Sequence, residues 1–137
     1  DGSYGVYYAA KELKTAIKET VYHREVFLRK TNESDTELTM RCYANKIAVA
    51  LHDVRAKEHV GLHSEDYTAP QQFAALMRKQ GSPGLVYRSV RDAGGECIAA
   101  FKPKSITIPV QAGHYKYLWK HRENKISEVL KIEKVDF

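Results

Sequence analysis

Asp1–Arg24 reads DGSYGVYYAAKELKTAIKETVYHR, and this stretch decides the fold. Asp1-Gly2-Ser3 and Gly5 carry turn chemistry. Val6-Tyr7-Tyr8-Ala9-Ala10 is a short apolar run with aromatic and β-branched content, which favours a buried strand. From Glu12 to about Arg29 the apolar positions recur at helical spacing: Leu13, Ala16, Ile17, Thr20, Val21, Phe27 and Leu28. At about 100° per residue they make one stripe roughly 120° wide. Glu12, Glu19 and His23 fall on one flank of that stripe. Glu19 and His23, four apart, are neighbours on the helix surface. A carboxylate at the edge of an apolar face, just after a buried strand, is where a partly desolvated acid sits. Position alone suits better a solvated Glu19 paired with His23 or Lys18, the commoner fate of a helix carboxylate.

The chain has 137 residues, enough for one domain with a real core and too few for two ordinary ones. Hydrophobic residues make up 43% and charged residues 28%, the balance of a globular domain rather than a disordered chain. No apolar run approaches the roughly 20 residues that span a bilayer, so no membrane role is expected. No secretory signal is visible, and the two cysteines, Cys42 and Cys97, lie outside any C-x-x-C motif. They read as free core thiols in a reducing, cytoplasmic setting. The chain starts at Asp1 without Met, so the parent is expected to extend upstream of a single domain over 1–137. The net charge of +5 favours an anionic ligand or an acidic partner. Without a nucleic-acid motif it does not point to a dedicated nucleic-acid binder.

Beyond the helix, Thr31–Asp35 is a polar loop, and Leu38, Met40 and Cys42 alternate with Thr39, Arg41 and Tyr43 as a half-buried strand. Ile47, Val49 and Leu51 alternate again up to His52-Asp53, giving either one bent strand or a hairpin with the run before. His59 and His63 are four apart, but Gly61 lies between them and no further ligand matches, so no metal is expected. A second helix starts near Pro70, runs along Phe73, Leu76 and Met77, and is capped by Gly81. Leu85–Tyr87 and Cys97–Phe101 are buried strands either side of a Gly94-Gly95 loop. Ile106, Ile108 and Val110 alternate as another strand. Tyr115–Lys120 and Ile126–Val135 make a terminal hairpin around Arg122–Lys125, with lysines marking an edge. Tyr115, Tyr117 and Trp119 with Lys116 and Lys120 would also suit base stacking, but one buried strand face gives the same pattern more simply. Strands flanking two main helices give an α+β class with a mixed, mostly antiparallel sheet.

Two segments together resemble the RES-domain family. The first is Gly5–Ala10 followed by Thr15-Ala16-Ile17-Lys18-Glu19-Thr20. The second is Gln71-Gln72-Phe73-Ala74 leading into Gly84-Leu85-Val86-Tyr87-Arg88-Ser89-Val90-Arg91, then the Cys97–Phe101 strand and Pro103. Their order and spacing, over about Asp1–Lys104, carry the resemblance. It implies an ADP-ribosyltransferase-like fold and a toxin of a bacterial toxin–antitoxin pair that consumes NAD as a glycohydrolase or phosphorylase. Some relatives are protein ADP-ribosyltransferases, which stands as the alternative, as does an inert antitoxin-binding fragment. The implied partner is a helix-turn-helix antitoxin covering the active site, with any oligomer formed through that complex.

Position by position, the resemblance carries the family's strand tyrosine to Tyr8, its helix glutamate to Glu19 and its serine to Ser89. The family also uses an arginine upstream of Asp1-Gly2, outside this sequence. Many relatives carry Asn near the start of the last core strand, where this chain has Glu96-Cys97. Nicotinamide leaves as a neutral ring, so no general acid is needed. Glu19 fits as the ribose-orienting, charge-stabilising carboxylate. Tyr8 suits stacking on nicotinamide and suits a core position as well. Arg91, ahead of Arg88, suits a bidentate pyrophosphate contact. His23 suits orienting Glu19 or meeting phosphate, and suits a plain helix edge slightly better. Ser89, at a strand end, reaches a ligand or bonds its own backbone. Inorganic phosphate as co-substrate is favoured modestly by the basic charge, and no metal is required.

Overall fold

A computed structural model describes residues 5–56 and 68–137. The fold is α+β. The expected turn at Asp1-Gly2-Ser3 and the pair His59 and His63 lie outside the described residues. The chain divides into two compact units, one drawn from Asp1–Glu19 and Lys46–Thr107, the other from Thr20–Asn45 and Ile108–Phe137.

The first unit is built on a four-stranded sheet. Its strands are β1 (Tyr7–Ala10), β3 (His52–Asp53), β4 (Gly84–Arg88) and β5 (Glu96–Ala100), in the order β1-β5-β4-β3. The pairs β1–β5 and β4–β5 are antiparallel and β3–β4 is parallel, so the sheet is mixed. Alternation puts Tyr8, Ala10, Cys97, Ala99, Leu85 and Tyr87 on one face, because Tyr8 pairs with Ala99, Ala10 with Cys97 and Tyr87 with Cys97. On it Leu85 and Ala99 join Val54 and Phe101 in a buried core, against which Phe73 and Met77 pack. Those two are i and i+4 on α2 (Thr68–Lys79), the amphipathic spacing the sequence shows. Pro70 falls in the first turn, where its missing N–H costs no helical bond. Gly81, at φ 86°, ends α2: its N–H meets the Arg78 carbonyl at 3.0 Å and that of Ser82 meets Met77 at 3.0 Å, a Schellman motif. A Cβ on Gly84 would lie 2.3 Å from the Ala99 carbonyl oxygen, so only glycine lets β4 and β5 approach there.

The second unit pairs a sheet of β2 (Thr36–Ala44), β6 (Val110–Lys120) and β7 (Lys125–Ile132) with the later turns of α1 (Leu13–Thr31). The order is β2-β6-β7, all antiparallel, and the terminal hairpin is as the sequence reads, turning at Asn124 with φ 56°. Thr20 and Tyr117 share a hydroxyl hydrogen bond of 2.7 Å, and Glu25 Oε2 accepts the Ile126 N–H at 2.8 Å. Trp119, 1% exposed, donates its indole N–H to the Glu33 carbonyl at 3.0 Å, so the largest buried side chain has its polar atom satisfied.

Two alternating runs did not become strands over their length. Ile47, Val49 and Leu51 yield a single bridge from Ile47 to Ile106, and regular pairing resumes only at β3. Ile106 keeps the same bridge and Ile108 is exposed outside any ladder; Pro109 has no N–H to donate, and the run joins a strand only at Val110, the first residue of β6, opposite Ala44. Alternation marks a strand only where a neighbour accepts the ladder.

Candidate active site

In the first unit, the opening turns of α1 meet the loop between β4 and β5. Thr15, Lys18 and Glu19 stand at i, i+3 and i+4, so one helix face presents all three. The loop runs from Ser89 to Gly95 and is closed by its own backbone. The Ser89 N–H donates to the Gly95 carbonyl at 2.9 Å and the Gly95 N–H to the Asp92 carbonyl at 2.8 Å.

Ser89 is 8% exposed and its hydroxyl is fully engaged. Its Oγ accepts the N–H of Arg91 at 3.1 Å and that of Asp92 at 3.0 Å. It donates its one proton to Glu19 Oε2 at 2.5 Å. With both lone pairs met by N–H groups, the hydroxyl proton faces Glu19 Oε2, with the Cys97 sulfur nearby, and the short Glu19 contact takes it. Glu19 Oε2 is therefore the acceptor of this bond, a short contact of the charge-assisted kind. The two residues the resemblance assigns to catalysis, seventy positions apart, are in direct contact.

Asp92 ties the loop to the helix. Its Oδ2 accepts the Thr15 hydroxyl at 2.8 Å, and its Oδ1 meets the Lys18 ammonium at 3.2 Å. The Thr15 bond, then the Lys18 bond, hold the Asp92 carboxyl below its usual 3.8, against the opposing effect of burial. A Cβ at Gly95 would lie 2.7 Å from Thr15 Oγ1 and 2.8 Å from its Cγ2, so the loop backbone reaches the helix only because Gly95 has no side chain.

Cys97 stands beside this pair. Burial, then the Glu19 charge, push its thiol up to about 12, and the nearby Ser89 hydroxyl works the other way. It is a neutral thiol at neutral pH, and no nucleophile. Tyr8 shares the Cys97 face of the sheet and is 65% exposed. It is thus an accessible ring on an otherwise packed face, rather than a core tyrosine. Arg91 enters through its backbone N–H. His23 belongs to the second unit, exposed, with its ring edge-on to Tyr22 at 5.4 Å between centroids.

Glu96 has a different employment from an amide at that place. Its carboxylate is bound by Arg55, and Lys11 approaches it at 3.6 Å. Arg55 also forks onto Asp53, with Nε at 2.8 Å from Oδ1 and the terminal nitrogen at 2.6 Å from Oδ2. Hydrogen bonds donated first to Asp53 and then to Glu96 push the Arg55 guanidinium further up, and the bond from Arg55 holds Glu96 below the usual carboxylate range.

Thr15, Asp92 and Gly95 are the parts of the site that residue-by-residue reading passes over. The available signals were the i, i+3, i+4 spacing on α1 and an Asp three residues after a strand-end Ser. Among the described residues no group of three His, Cys, Asp or Glu side chains is placed to hold a metal. No helix among them is long and apolar enough to cross a membrane.

A profile of the RES domain matches residues 1–120, which include the whole α1–loop contact. The chain belongs to the RES-domain family. A further relative of this RES domain, the protein y4oC of Sinorhizobium fredii, described as uncharacterized, is 26% identical over 119 residues. That match takes in 87% of this chain and 50% of y4oC, so the chain spans about half the length of the curated relative it matches. The RES family is one of toxin-like domains that act on NAD.

Proposed function

We propose that this RES domain breaks the nicotinamide–ribose bond of NAD, with inorganic phosphate or water as acceptor. The observation that carries the reading is the Glu19–Ser89 contact. A carboxylate is held as a hydrogen-bond acceptor by a serine whose lone pairs are already filled, at the two positions the resemblance assigns to catalysis.

The chemistry asks for little more. The bond between ribose C1′ and the pyridinium nitrogen breaks, and its electron pair leaves with nicotinamide, which departs neutral without a proton. Positive charge develops on the ribose, and the Glu19 carboxylate stabilises it and holds a ribose hydroxyl. An oxygen of phosphate then bonds to C1′ and gives ADP-ribose phosphate; with water, ADP-ribose forms and a proton is released. Tyr8, exposed on the sheet face next to Cys97, supplies a flat ring for the nicotinamide. Arg91, fixed by its backbone to Ser89, is the arginine for the pyrophosphate. Ser89 acts on Glu19 and not on substrate, because its proton and lone pairs are in use. A helix-turn-helix antitoxin as partner and a cytoplasmic setting belong to this same reading.

The test is NAD consumption by the full-length protein with and without inorganic phosphate, reading products by mass. Nicotinamide with ADP-ribose phosphate, or with free ADP-ribose, supports the reading and names the acceptor. NAD left intact under both conditions contradicts it.

A further inference from the structure

Asp92 is gripped at both ends. Its carboxylate is bound from α1 by Thr15 at 2.8 Å and Lys18 at 3.2 Å. Its own N–H is one of the two groups that fill the lone pairs of Ser89. The direction of the Ser89 proton depends on both amides being in place, and the Asp92 amide is in place because its side chain is fastened to the helix that bears Glu19. Thr15 and Glu19 are one turn apart on that helix, so the fastening and the contact it serves are set on the same face. Gly95 lets the loop backbone close on Thr15, with the Asp92 carbonyl 3.0 Å from where a Cβ would be.

We propose that Asp92 is a positioning residue for Glu19: by pinning the Ser89–Gly95 loop to α1, it aims the Ser89 hydroxyl and so fixes the Glu19 carboxylate. The importance of this for turnover rests on the reading of Glu19 as the group that meets the ribose; the pinning itself does not. Asp92 touches no substrate in this scheme and works through Ser89 alone.

A double-mutant cycle separates this from a general loosening of the fold. In the full-length protein, D92N keeps the backbone N–H and removes the charge that Lys18 and Thr15 grip. Thr15→Val cuts the same anchor from the helix side at nearly constant volume. Each is expected to lower kcat for NAD loss by about ten-fold with KM within about two-fold, and D92N in the S89A background to cost less than about two-fold. Losses of the same size with and without Ser89, or no loss from either variant, would overturn the proposal.

A second readout needs no turnover. With carbon-13 in the glutamate carboxyls, the Glu19 resonance is assigned by its disappearance in E19Q. D92N is expected to move that resonance when Ser89 is present and to leave it in place in the S89A background. A Glu19 signal that D92N does not move, or moves equally in both backgrounds, counts against positioning. Should the protein consume no NAD, this arm still decides the positioning claim, while the NAD reading falls by itself.

Discussion

At the scale of single residues, the site depends on how many hydrogen-bonding valences each group has. Ser89 has three and uses all three, which makes it an orienting group rather than a nucleophile. Cys97 is beside it and looks like a candidate nucleophile by type, yet burial pushes its thiol up to about 12. Native protein at pH 7.5 is therefore expected to react with a thiol reagent at Cys42 first, with Cys97 labelled only on unfolding. Peptide mapping after a short exposure checks this; stoichiometric native labelling of Cys97 would contradict it. The sequence shows the chemistry of Glu19 and Ser89 as types, and only the resemblance implied a role for them. It does not show that they touch, because about seventy residues intervene, with three strands and a helix among the described ones, and nothing local encodes the pairing.

At the scale of elements, α1 and the β4–β5 loop are held by a small set of contacts that can be tested one by one. Adding a methyl at Gly95 forces Thr15 or the Asp92 carbonyl to move. Gly95→Ala is expected to destabilise by about 1–3 kcal/mol, and to lower the melting temperature by roughly 3–10 °C. An unchanged thermal melt would show that the loop does not press on the helix. The Asp92 anchor gives a pH signature. Its carboxyl is held below the usual 3.8 by Thr15 and Lys18, with Lys14 adding in the same direction. A depressed carboxyl stabilises the fold above its unfolded value and loses that contribution as pH falls through its folded value. The melting temperature of wild type should thus exceed that of D92N at neutral pH, and the gap should narrow below about pH 3.8. A gap that stays constant to pH 3 would speak against the anchor.

Most elements are legible in the sequence, for reasons visible in particular residues. The stripe from Leu13 to Leu28 gives α1, Gly81 ends α2, and the aromatics from Tyr115 to Trp119 mark β6. The two alternating runs that failed show the limit of period as a signal. Ile47–Leu51 and Ile106–Ile108 have the right spacing, but Pro109 cannot donate, and between them only the Ile47–Ile106 bridge forms. β3 is the reverse case. His52-Asp53 has no strand signal, and its parallel pairing to β4 comes from the position of its neighbour.

At the scale of the whole molecule, what the sequence could not supply is the sheet order. β1 is beside β5 rather than beside any strand near it in the chain, and that pairing sets Tyr8 on the same face as Cys97. The same antiparallel pairs bring the strand end that carries Ser89 to the start of β5, where Glu96 is bound by Arg55. Fold class and family were readable from element order and from two motif segments. The geometry of the site was not, because it is made of long-range pairings. The central claim is that the Glu19 carboxylate carries the cleavage of NAD. The most direct measurement compares NAD turnover of the full-length protein with that of Glu19→Gln, whose side-chain carbonyl can still accept the Ser89 proton. The account predicts a loss of at least about 100-fold in turnover with the thermal melt retained. A Glu19→Gln protein that consumes NAD at the wild-type rate would contradict it.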